Sequence, residues 1–346
     1  MLLFDIHHAV SDGTSVALLM SELIDLYEDR SLPPVKAQFT DYSEWLTRSL
    51  TGEERERQRI YWLEQFADAV PALSWPTLSG REILTDPSVR AEVGRYRFNV
   101  IGERFDALSS LAQNSGATLS MVLLAGYQAL LGHWCGTQDV VTGVPTAGRS
   151  HPDLARTSGL LLQTFAIRNR PRMELTFADW LSEVMESMFL AFDHAGLTTE
   201  ELIEQLNERG QICWDSTRHP LFDAMFVMQN MDIPPVQNGE LSWEALDYRF
   251  TGAKLDLVLE AAERDGHLKL IFEYRSRLLP EEIIVQMAEN FLQLLDHAAA
   301  KPQATLQNLT GMLPSILPAA EKSESKPKVV KENEEELDLF EEDFTF

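Results

Sequence analysis

An α/β sandwich in two units is the fold this sequence predicts, and three observations predict it. From about residue 94 to residue 310, strand-like apolar runs alternate with helical stretches, the rhythm of an α/β fold. At 346 residues the chain can bury a sizeable core, and its length favours two domains over one. Between the first helices and the regular part, residues 68–90 hold Pro71, Pro76, Gly80 and Pro87, the composition of a linker or crossing segment.

Leu2 to His8 is apolar enough for a buried strand, and alternation sets Phe4, Ile6 and His8 on one face. The turn Ser11-Asp12-Gly13 then opens a helix whose Val16, Leu19, Leu23 and Leu26 follow helical spacing. Asp41 to Trp45 and the charged run Glu53 to Arg59, continued by Tyr61-Trp62-Leu63, read as further helices. A second unit starts near Gly94: Arg95 to Val100 alternates as a strand, and residues 103–114 and 118–134 are helical. Asp139 to Pro145 is a buried strand that runs into Thr146-Ala147-Gly148-Arg149. Residues 319–346 carry ten acids and four lysines with no aliphatic pattern before Leu337, so most of this tail is expected to be disordered.

A formal charge of −25 argues against nucleic acid, whose phosphates need a basic surface. Cys135 and Cys213 fit neither a disulfide framework nor a zinc spacing, which makes a reducing cytoplasm the expected compartment. No apolar run approaches the roughly 18 residues of a membrane span, and the N-terminus lacks the basic flank of a signal peptide.

The chemistry concentrates in His7-His8-Ala9-Val10-Ser11-Asp12-Gly13. Histidine titrates near neutrality and suits proton transfer from an amine or thiol that attacks an acyl carbonyl. Asp12, across a turn, would orient the loop by an ion pair. The plainer reading is two polar residues at a strand end beside a helix-capping Asp. A metal is not indicated, because adjacent histidines on a strand point to opposite faces.

This segment resembles the HHxxxDG motif of condensation domains in nonribosomal peptide synthetases, and further blocks follow in the family's order. Phe39-Thr40-Asp41-Tyr42-Ser43-Glu44-Trp45 resembles its tyrosine-aspartate-tyrosine…tryptophan block. Gly143-Val144-Pro145-Thr146-Ala147-Gly148-Arg149 is similar to its glycine-x-proline…alanine-glycine-arginine segment. Trp214 to Phe222 is similar to its late aspartate-x-serine-arginine-x-proline-leucine block, completed by Phe226-Val227-Met228-Gln229-Asn230. The resemblance covers about residues 1–315.

It implies a chloramphenicol-acetyltransferase-like fold in which two lobes enclose a tunnel. Carrier proteins would deliver a phosphopantetheine-tethered acyl donor and aminoacyl acceptor from opposite ends, with no directly bound cofactor, and an amide would form. His8 would be the key residue, as base or as positioner of the amine, with His7 beside it. Asp12 would be structural and paired with Arg149, and Gly13 would offer its N–H to the oxyanion. Ser216, His219 and Gln163 would line the tunnel, although loop polarity before Pro220 explains the first two equally well. The resemblance also implies that two earlier motifs would lie before Met1. Residues 1–90 are then the back of a donor-side lobe truncated at its N-terminus, 91–315 the C-terminal lobe, and 316–346 an acidic tail. A sheet with an open apolar edge and poor stability or activity would follow.

Departures stand beside the matches. Ser158-Gly159-Leu160-Leu161-Leu162-Gln163-Thr164 has Gln163 where the family has asparagine, and Asp193-His194-Ala195-Gly196-Leu197-Thr198-Thr199 keeps little of its block beyond His194. Leu337, Phe340 and Phe344 fall at i, i+3 and i+7, so the acidic tail is either solvated or an amphipathic docking element for a neighbouring synthetase subunit. Against the enzyme stands a degenerate or truncated, non-catalytic module that acts only in carrier or subunit docking. Epimerisation domains share the histidine motif, but Phe226 to Asn230 reads as condensation. A free-standing acyltransferase that uses coenzyme A has no second signature here.

Overall fold

The computed structural model describes residues 5–49, 52–76, 92–229, 255–264 and 266–314, with the pairs 237–238 and 241–242. The strand expected over Leu2–His8 does not form in its described part. Residues 5–7 are irregular and His8–Val10 make one 3-10 turn, which His7 caps by accepting the Ala9 N–H at 3.1 Å. A strand is held by a hydrogen-bonded neighbour, and no described strand pairs with this segment. The two histidines therefore sit on a cap and a turn, not on opposite faces of a sheet.

Helix α1 (Gly13–Tyr27) starts at Asp12, whose Oδ1 accepts the Ser15 N–H at 2.8 Å, the usual N-cap geometry. Its buried residues are Ser15 and Ile24, while Leu19 and Leu26 of the anticipated apolar row are exposed. Helices α2 (Phe39–Ser49) and α3 (Glu53–Gln65) follow. Beyond α3 an irregular segment is pinned by the Leu73 N–H on Asp223 and the Trp75 indole N–H on Asp256, at 2.8 and 2.9 Å. The rest of the expected 68–90 crossing segment lies mainly outside the described residues.

The regular part comprises β1 (Val93–Val100), α4 (Glu103–Asn114), α5 (Leu119–Cys135), β2 (Val140–Thr146), β3 (Gln163–Asn169), α6 (Phe177–Asp193), α7 (Thr199–Glu208) and β4 (Ala224–Gln229). The short pair β5 (Gln237–Asn238) and β6 (Leu241–Ser242) comes next, then β7 (Leu257–Arg264), β8 (His267–Arg275), α8 (Glu281–Ala300) and α9 (Leu306–Thr310). One six-stranded mixed sheet has the order β1-β8-β7-β4-β2-β3. Its β7–β4 and β4–β2 pairings are parallel and the others antiparallel. Helix α5 is buried almost all round, as its lack of a polar face requires, and with α4, α6 and α8 it covers one face of the sheet. Trp62, Leu63, Phe66 and Leu73 join this same core, so α3 and the segment after it pack on the sheet-bearing unit. The first two helices pack elsewhere. Tyr42, Ala37 and Leu46 meet Leu154 and Leu161 from the β2–β3 connection in a small separate cluster.

Candidate active site

Residues 147–162, between β2 and β3, reach back to the start of α1. Arg149 grips Asp12 with both guanidinium nitrogens, each 2.9 Å from one carboxylate oxygen. The pair is buried, with 6% and 1% of the two side chains exposed. Such a pair survives burial only when its remaining valences are filled, and here most are. Asp12 also accepts from the Ser15 hydroxyl at 2.8 Å and the Leu161 N–H at 3.0 Å. Arg149 also donates to the carbonyls of Ala147 and Thr157 and to the Ser15 hydroxyl. Burial pushes the Asp12 carboxyl up, but Arg149 and the Ser15 donors outweigh it and hold the group below the ordinary carboxylate range.

Two glycines make this approach possible. Gly148 has φ +65°, and a Cβ there would stand 1.7 Å from the Leu161 carbonyl oxygen, so only glycine fits. A Cβ on Gly159 would meet the Phe39 ring at 2.3 Å, and the Gly159 N–H and carbonyl both bond the Ser15 hydroxyl, at 3.0 and 2.9 Å. The same loop holds the first helices through Thr157 on the Ala37 carbonyl (2.8 Å) and Arg156 on Glu22 (2.6 Å).

His8 hangs on this clamp. Its Nδ1 is 2.7 Å from the Ser11 carbonyl, and because a carbonyl only accepts, Nδ1 carries the proton. In the neutral ring Nε2 is then the basic nitrogen, and it has no hydrogen-bond partner among the described residues. His7 and His8 are both exposed. Gly13 is the first residue of α1 and half-buried, its N–H among those a helix leaves unpaired at its start.

The remaining candidates lie at the starts of two strands that flank β2, β3 beginning beside Thr146 and β4 beside Thr142. Gln163 opens β3 and lies close to the Tyr42 hydroxyl, a group that burial pushes up and the nearby Arg149 charge and Gln163 amide pull down. His219 and Ser216 belong to the loop before β4; Ser216 is exposed. His219 stacks on Phe222 with centroids 4.0 Å apart, and its Nδ1 accepts the Leu221 N–H at 3.2 Å. Burial lowers it to about 4, with the Glu200 carboxylate opposing. Two clefts of the fold lie elsewhere: one of about 730 Å³ is lined by Tyr61, Arg168, Asn169 and Ser187, and one of about 370 Å³ by Arg95, Gln229, Glu260 and Lys269. Neither is lined by His8 or His219.

Sequence reasoning missed Ser15, Gly159, Thr157 and Leu161 as partners of the clamp. Ser15 alone left a trace, since Asp-x-x-Ser at a helix start is a capping pattern. It also missed what holds His194, which stacks on Tyr61 at 4.1 Å and takes the Trp62 indole N–H on its carbonyl at 2.8 Å.

Comparison with known proteins gives this arrangement a class and then a family. The first condensation domain of the calcium-dependent antibiotic synthetase, solved with a substrate analogue, superposes with a TM-score of 0.67 at 25% identity, over 87% of this chain and 65% of that one. The X-domain solved in complex with OxyB from teicoplanin biosynthesis superposes at 0.75 with 20% identity, over 90% and 69%. The fold is that of the chloramphenicol-acetyltransferase-like proteins. The Condensation domain family model matches residues 1–316, and the chain belongs to that family of nonribosomal peptide synthetase domains. Bacitracin synthase 3 of Bacillus licheniformis is 37% identical over 89% of the chain, and surfactin synthase subunit 1 of Bacillus subtilis (strain 168) is 37% identical over 90%. The chain spans only 5% and 8% of the length of those two relatives. No single helix among the described residues is long and apolar enough to cross a membrane.

Proposed function

We propose that this chain forms an amide between a carrier-bound acyl or peptidyl thioester and the amine of a carrier-bound aminoacyl group. The observation that carries the reading is the buried Asp12–Arg149 clamp, because it fixes the turn on which His8 spends Nδ1 on the Ser11 carbonyl and leaves Nε2 without a hydrogen-bond partner among the described residues. The acceptor amine attacks the thioester carbonyl carbon and a C–N bond forms. The amine gives its proton to His8 Nε2, the C–S bond breaks, and the leaving thiolate takes that proton. His8 thus acts as base or holds the amine in line, His7 caps the turn, and the Gly13 N–H faces the developing oxyanion. Ser216, His219 and Gln163 line the path of the substrates.

Both substrates ride on the phosphopantetheine arms of carrier proteins, so the chain needs no cofactor of its own. The partners are those carrier domains and neighbouring synthetase subunits, in the cytoplasm. Residues 1–90 and 91–315 form the two lobes, with α3 and the segment after it lying on the second. The acidic stretch 316–346 lies outside the described residues, and its docking role is tested by deleting residues 332–346 and measuring affinity for a downstream subunit. One observation favours the second reading, a docking module without catalysis: His7 and His8 are exposed, and neither cleft is lined by them. Amide formation from loaded carriers separates the two. His8→Ala is expected to lower turnover by about 100-fold or more, in the range of lost general-base catalysis. Equal turnover by the variant would remove His8 from the chemistry, and no turnover by the parent chain would leave the docking reading.

A further inference from the structure

The proposed reaction leaves open which group orients the tethered substrate beside His8, and His219 is built unlike His8. Its Nδ1 accepts a backbone N–H, that of Leu221 at 3.2 Å. An accepting nitrogen carries a lone pair, so in the neutral ring the proton sits on Nε2. The ring is held flat against Phe222, 4.0 Å between centroids and 24° between planes, and Phe222 is itself locked over Gly143 of β2, where a Cβ would meet its ring at 2.6 Å. Nε2 has no protein partner among the described residues. His8 is the reverse, with Nδ1 donating to a carbonyl and Nε2 left to accept.

The segments on either side are held by hydrogen bonds: Thr199 of α7 bonds the Thr164 carbonyl of β3, and Leu161 bonds Asp12 at 3.0 Å. The Glu200 charge, next to Thr199, acts on the His219 ring. The flanking loop is rigid as well. Arg218 pairs with Asp223 at 2.9 Å through Nε, and Arg275 holds both Asp256 and the Thr217 carbonyl. A side chain fixed on both sides with one free N–H is a preorganised donor.

Resting on the function proposed above, we infer that His219 is a positioning residue: a neutral Nε2–H donor that holds a carbonyl oxygen of the pantetheine-tethered substrate. The class of group it takes is an uncharged acceptor, an amide or thioester carbonyl. A cationic amine is excluded because the free nitrogen has no lone pair to offer.

The test uses the full chain and a stable probe, an acyl-pantetheine thioether, whose binding is measured by calorimetry independently of turnover. His219→Phe keeps the ring against Phe222 and removes the donor, and it is expected to weaken binding about 3- to 10-fold, the worth of one hydrogen bond. His219→Gln restores a donor and is expected to recover most of the loss. Nitrogen-15 spectra of the wild-type ring are expected to show Nε2 protonated. Probe binding unchanged in His219→Phe, absent in wild type, or accompanied by a proton on Nδ1 would overturn the inference. If the probe binds as expected but loaded carriers give no amide, the proposed reaction fails and the donor stands.

Discussion

Replacing Arg149 by methionine keeps the aliphatic stem and removes the charge from one of the most enclosed ion pairs of the fold. Asp12 would then be a carboxylate with 1% of its side chain exposed and no cation. Breaking a buried pair costs about 3–5 kcal/mol. The lower end is expected here, about 3 kcal/mol, because the Ser15 N–H, Ser15 hydroxyl and Leu161 N–H still donate to Asp12. With a urea m-value of about 3 kcal/mol per molar, the midpoint moves down by about 1 M. Asp12→Asn together with Arg149→Met leaves neither charge buried alone and is expected to recover part of the loss, with a coupling of about 1–3 kcal/mol.

The pH dependence has a definite sign. In the native chain Asp12 lies below its unfolded value, so its stabilisation is present above about pH 4 and lost as pH falls through the depressed native value. Without Arg149, burial is less opposed and the native value rises. The deficit of Arg149→Met is therefore greatest at neutral pH and shrinks on acidification. Urea titrations at pH 7 and pH 5, followed by tryptophan fluorescence, measure both effects. A loss below about 0.5 kcal/mol at pH 7, or a deficit that grows on acidification, would refute the reasoning.

Gly148→Ala puts a methyl carbon on the Leu161 carbonyl at a left-handed position, and a loss of at least about 2 kcal/mol is expected in thermal melts; a melt matching wild type would contradict it. His219, lowered to about 4 by burial, binds a proton more readily unfolded than folded. Stability is thus full above about pH 6.5 and falls as pH drops from 6.5 towards 4. His219→Phe is expected to flatten that part of the profile, and an identical slope in both proteins would count against a buried neutral ring.

Local signals were legible where short-range chemistry decides the outcome. The α1 cap at Asp12, the helix over 103–114 and the strand ending near Thr146 follow from capping, periodicity and apolar runs. The strand read over Leu2–His8 failed because alternation reports which side chains are apolar, while pairing depends on a neighbour remote in sequence. The burial of Trp62, Leu63 and Phe66 with the sheet was hidden for the same reason, since the apolar continuation of a helix does not say which distant surface it packs on. At the site, the Asp12–Arg149 pairing came from the family's pattern, 137 residues apart. The Ser15 hydroxyl and Leu161 amide carry no such mark, because a backbone N–H looks the same in every sequence.

The loop 147–162 reaches Asp12, Glu22, Ala37 and Phe39 through Arg149, Arg156, Thr157 and Gly159. For anyone recombining such domains, this makes two stretches more than a hundred residues apart a single inheritable unit. A chimera that imports residues 5–49 from a relative while keeping the native loop must match four contacts chosen in another lineage. One that carries the loop along needs only to meet the ends of β2 and β3, where backbone hydrogen bonds are indifferent to side chains.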